Sequence, residues 1–135
     1  MNLKYLRKDI IDALPQYKVY DVDAPITELK RGQYIKIVQC QKQQTDQDKE
    51  CYSWLVNVQL DLYSVSELGF YSTLAVDEME ESLRPIYREL PNVEDVMGVT
   101  TRDNNYDTDT HSINRRIVNI IYKYASDDTR KSYRG

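Results

Sequence analysis

A chain of 135 residues with 41% hydrophobic and 30% charged side chains is long enough to bury one core and too apolar to stay disordered. A formal charge of −4 argues against a protein that grips nucleic acid through its overall field, and no cluster of Lys and Arg stands out. Met1 leads straight into a charged amphipathic stretch, so neither a secretory signal nor a membrane span is expected.

From Asn2 to Leu14 the residues Leu3, Leu6, Ile10, Ala13 and Leu14 share one helical face, with Lys4, Arg7, Lys8, Asp9 and Asp12 mostly outside it. Asn2 is expected to cap this helix and Pro15 to end it, since proline disfavours helical backbone in the residue before it. Tyr17 to Asp21 reads as a short strand. A connection with Pro25 and Gly32 leads to a second strand, Tyr34 to Gln39. Gln41 to Glu50 is a polar run, the arm of a long hairpin. The clearest strand spans Tyr52 to Tyr63, where Trp54, Val56, Val58, Leu60 and Leu62 alternate with Ser53, Asn57, Gln59 and Asp61.

The apolar set is odd-numbered on the earlier strand (Ile35, Ile37) and even-numbered on the later one, so antiparallel partners should sum to an odd number. Cys40 and Cys51 meet that condition and are expected to be cross-strand neighbours on the face away from the core, as reduced thiols. A second helix is expected to begin between Ser66 and Thr73 and to reach Leu83. Its inner stripe is Tyr71, Ala75, Met79 and Leu83, and Asp77, Glu78, Glu80 and Glu81 lie outward or lateral. Pro85 opens a further short turn carrying Ile86 and Leu90. Val93 to Arg102 and Ile113 to Tyr124 read as strands, the last apolar on both faces and therefore central.

The fold class expected is α+β: an antiparallel or mixed sheet of four to five strands with two main helices on one face, in the order α-β-β-β-α-β-β. Residues 1–125 form one domain and 126–135 a flexible tail.

No catalytic, metal or cofactor site is expected. Asp103, Asn105, Asp107, Asp109 and His111 resemble an oxygen-rich calcium loop, but Thr108 stands where such a loop needs glycine and Asn114 where it needs a bidentate Glu. His111 is the one histidine, with neither cysteine in its segment, and the four glycines are isolated, which excludes the common nucleotide-binding loops. The acidic face of the second helix reads as a solvated surface or as the wall of a channel or basic partner. Arg115, Arg116, Arg130, Lys131 and Arg134 read as solubilising charges or as partners for a neighbour's acidic helix. Twelve tyrosines suit half-buried strand positions or a sheet edge that binds a peptide, and a non-catalytic binding module is the alternative reading.

The opening helix ending at a proline, the strand YIKIVQ (Tyr34 to Gln39), the long strand WLVNVQLDLY (Trp54 to Tyr63), the helix to Leu83 and the closing RRIVNIIYKY together resemble the tail terminator or tail completion proteins of tailed phages. The resemblance covers nearly the whole chain and implies a ring-forming homo-oligomer, commonly a hexamer, at the head-tail junction of the virion, assembled in the host cytoplasm. By that likeness the partners are further copies of the chain and the neighbouring neck, portal or tail proteins. DNA passes through without specific binding, and no membrane is involved. The polar arm, with Gln43, Gln44, Thr45, Asp46, Gln47 and Asp48, would make subunit contacts together with Arg115, Arg116, Arg130 and Arg134. Asp77, Glu80 and Glu81 would face the channel. Pro85 with the Leu90 turn, and the basic tail, depart from the family layout, so a long-tailed and a short-tailed phage both stay open.

Overall fold

The computed structural model describes residues 3–24, 30–43, 53–71 and 73–125. It is α+β: α1 (Lys4–Asp12), β1 (Lys18–Tyr20), β2 (Gly32–Lys42), β3 (Ser53–Glu67), α2 (Leu74–Glu81), α3 (Arg84–Arg88), β4 (Val93–Asp103), β5 (Tyr106–Asp107) and β6 (His111–Ala125). The sheet order is β1-β2-β3-β6-β4, with β5 also on β6. β1 runs parallel to β2 and every other pair is antiparallel, so the sheet is mixed. The expected order holds, extended by α3 at the turn that Pro85 opens and by β5 within the polar stretch before the last strand.

Alternation on β3 and β6 decides which face is covered. Val56, Val58, Leu60 and Leu62 pair with Tyr122, Ile120, Val118 and Arg116, and all but the arginine join one core with Leu6 and Ile10 of α1, Val76 and Met79 of α2 and Ile86 of α3. The helices therefore lie on one face. Val65, Ile113 and Ile117 are buried outside that core, on the helix-free face. Between β3 and β4, β6 is central, as its apolar run requires.

Three expectations need correction. Partners on β2 and β3 do sum to an odd number from Gly32 to Ile37, but the register shifts at Val38, and Cys40 then lies opposite Val58 and packs against the core. A one-residue bulge exchanges the two faces, so Cys40 is not opposite Cys51, which itself lies outside the described residues. The inner stripe of the second helical region is Val76, Met79, Leu83 and Ile86; Tyr71 precedes α2 and is exposed, and Ala75 is half-buried. Finally, the residue at the helix start is Leu3, with positive φ and no side-chain cap, while Asn2 lies outside the described residues.

Candidate functional site

β3 continues to Glu67 and then reverses direction. Gly69, at φ 85°, adopts the left-handed backbone that glycine tolerates, and the Phe70 amide closes the turn onto the Glu67 carbonyl at 3.0 Å. A relay ties this turn to the β5–β6 hairpin. The Gly69 amide donates to Ser112 Oγ at 2.7 Å, Ser112 Oγ donates to Asp107 Oδ1 at 2.7 Å, and the Tyr71 hydroxyl donates to the same carboxylate oxygen. These bonds, led by that from Tyr71, hold the Asp107 carboxyl below its ordinary range, and the bond to Asp107 raises the Tyr71 phenol.

At and beside this turn four large side chains are exposed. Leu68, Phe70, Tyr71 and Leu74 are 47 to 63% exposed within seven positions. Beside them a cleft of about 450 Å³ opens between the start of β2 and the end of β3, with Gly32, Gln33, Val65 and Phe70 on its walls and Arg31 and Glu67 at its rim. The Arg31 and Glu67 side chains pair at 3.1 Å. Isolated exposed apolar side chains are ordinary on a surface, but a contiguous apolar strip beside a cleft is the usual mark of a docking surface.

The residues singled out by charge are placed differently. Arg116, whose side chain is 12% exposed, pairs with Asp77 at 2.6 Å, Glu80 at 3.4 Å and Asp103 at 2.7 Å. It therefore binds the acidic helix of its own chain. The bond from Arg116 holds the Asp103 carboxyl below its usual range. Arg115 donates through Nε and Nη2 to Oδ2 of Asp61 at 2.8 and 2.5 Å, on the helix-free face, and Tyr63 and Gln59 also donate to that carboxylate, which is 1% exposed. Glu81 is exposed and has no ion-pair partner among the described residues. Of the polar arm expected from Gln41 to Glu50, Gln41 and Lys42 instead extend β2 opposite Asn57 and Val56, and the Gln43 amide donates to the Leu55 carbonyl at 2.8 Å. Gln44, Thr45, Asp46, Gln47, Asp48, Arg130, Lys131 and Arg134 lie outside the described residues.

The acidic stretch after β4 sends its side chains to separate partners. Asp103 goes to Arg116, Asn105 accepts the Arg115 amide at 3.2 Å, and Asp107 serves the relay. No group of three or more metal-ligating side chains gathers among the described residues, and no helix there is long and apolar enough to cross a membrane. Sequence reasoning missed the strip because it assigned Tyr71 to the core. The available signal was the composition of LGFYSTL, whose apolar residues do not continue the spacing of Val76, Met79 and Leu83.

Against known proteins, the chain matches no family model and no curated sequence.

Proposed function

We propose that the chain is a non-catalytic structural subunit of a tailed-phage virion, repeated as a ring at the head-tail junction, as a tail terminator, connector or neck protein. The observation that carries this reading is the set of exposed apolar side chains Leu68, Phe70, Tyr71 and Leu74, beside a turn that the Ser112–Asp107 relay pins. A subunit that closes a ring by head-to-tail contact needs a rigid patch that a neighbour can bury. The α+β layout matches what the resemblance to tail terminators implies, and that likeness names the other partners: neck, portal or tail proteins above and below, with DNA passing ungripped. Of Asp77, Glu80 and Glu81, the last has no ion-pair partner among the described residues and is the one available to repel it. Assembly would take place in the host cytoplasm and end in the virion.

Negative-stain imaging of the concentrated protein, alone and with candidate neck or tail proteins, should show closed rings. The double variant Phe70→Ser with Leu74→Ser should keep its thermal melt and lose the rings. Rings that persist in the variant, or wild-type protein that forms none with any partner, defeat the reading. One observation favours the alternative, a peptide-binding module: Tyr20 and Tyr34 sit together at the β1–β2 edge, their rings 6.3 Å apart and tilted by 50°. Capture of an extended peptide by a chain that stays monomeric is the outcome that reading requires.

A further inference from the structure

The two edges of the sheet are guarded very differently. β1 is three residues long, and the ammonium group of Lys36, on β2, holds the chain that follows β1 by donating to the carbonyls of Asp21, Val22 and Ala24. Short strands and lysines are common ways of blocking edge pairing. β4 has neither. It is eleven residues long, or about 35 Å at ordinary strand rise, and its outer side pairs with no strand among the described residues. Met97 and Val99 are both exposed on it.

The register of β4 shows what can cover this edge. Val96, Val99 and Thr101 lie opposite Tyr122, Ile120 and Val118, which belong to the helix-covered face. Asp95, Gly98, Thr100 and Arg102 lie opposite Lys123, Ile121, Asn119 and Ile117, on the other face. Met97 is the extra residue at the register shift between Val96 and Gly98. With Met97 set aside, the strand from Asp95 to Arg102 is symmetric about Val99. Reversed upon itself, it brings Asp95 opposite Arg102, Val96 opposite Thr101, Gly98 opposite Thr100 and Val99 opposite Val99, and in every pair both residues belong to the same face. The bulge at Met97 is what places Asp95 on the face of Arg102 and Val96 on that of Thr101. The two charges that meet are uncommitted. Arg102 has no partner among the described residues, and Asp95 accepts the amide of its neighbour Val96.

We propose that β4 is a homodimerisation edge: two copies pair antiparallel about a two-fold axis at Val99, fusing their sheets, with an Asp95–Arg102 ion pair at each end. The contact is isologous, so each charge pair forms twice. It uses a different surface from the Leu68–Leu74 strip and does not depend on the ring reading.

The test is a charge-reversal cycle on the full chain, followed by sedimentation equilibrium and by hydrogen exchange of the β4 amides. Wild type should pass from monomer, 15.9 kDa, to a species of twice that mass as concentration rises, with β4 exchange slowing in step. Arg102→Asp alone and Asp95→Arg alone each place like charges together at both ends and should weaken the dimer by about tenfold or more. The double variant should return to within about threefold of wild type. Unchanged thermal melts establish that the single variants remain folded. The proposal is overturned if the chain stays monomeric at all concentrations, if the single variants dimerise as wild type does, or if the double variant is no better than the singles. Larger assemblies that are indifferent to both substitutions, and that leave β4 exchange unchanged, overturn it as well.

Discussion

At Asp61 a carboxylate has been taken almost wholly out of water, and its cost is offset by Arg115, Tyr63 and Gln59. Removing one partner of such a pair strands the other. Asp61→Ala should cost about 3 kcal/mol of unfolding free energy in urea melts, while Asp61→Leu combined with Arg115→Met should recover most of it, because the two desolvation penalties vanish together. The neighbouring phenol supplies a pH signature. Burial first, and the charge of Asp61 second, push Tyr63 up to about 12, against an ordinary value of 10.0. Below that ordinary value both folded and unfolded chains hold the proton, and the fold keeps its full stability. Above it the unfolded chain ionises first, so stability drains as pH rises toward the folded value. Urea midpoints should therefore fall between 10.0 and about 12, and Tyr63→Phe should make that fall shallower. Tyr87 and Tyr122, both raised chiefly by burial, and Tyr71, raised by its bond to Asp107, act in the same direction.

Among the elements, α3 is too short to be stable alone and depends on its anchors. Ile86 is buried, and the Tyr122 hydroxyl of β6 donates to the Ile86 carbonyl at 2.7 Å. Tyr122→Phe leaves that buried carbonyl without its donor and should lower stability by about 1 to 2 kcal/mol in denaturant melts. Element positions were readable in the sequence to different depths. Strict alternation made β3 plain, and prolines marked the C-terminal end of α1 and the start of α3. The inner stripe of α2 was misread because Tyr71, Ala75, Met79 and Leu83 are spaced by four, and each such step overshoots a full turn by about 40°. Val76, Met79, Leu83 and Ile86 stay closer to one line. The bulge at Val38 had no signature of its own, since valine is as good a strand former as its neighbours, and the face of Cys40 turned on it.

For the molecule as a whole, the layering of helices on one face followed from amphipathic patterns that each element carries in its own sequence. The parallel placement of β1 and the exposure of Leu68, Phe70 and Leu74 did not, because both depend on which distant segments are adjacent. The candidate surfaces fared least well. Arg115 and Arg116 looked like charges offered to a neighbour, and each is bound within its own chain through carboxylates far away in sequence. The uncovered strip and the unguarded β4 edge emerge only after the core is assigned, as what remains outside it.

The position of β6 carries a consequence for how the protein is made. β3 and β4 do not pair with each other; the strand between them is the last in chain order among the described strands of the sheet. During synthesis the three-stranded β1-β2-β3 unit therefore emerges with one long edge of β3 unpaired, and β4 follows as a lone strand, until the wedge arrives. Long-range pairing of this kind is slow and exposes the chain to aggregation while it waits. A nascent copy stalled before residue 111 holds β1, β2 and β3 but has nothing to join β4 to them, whatever helices it has already formed.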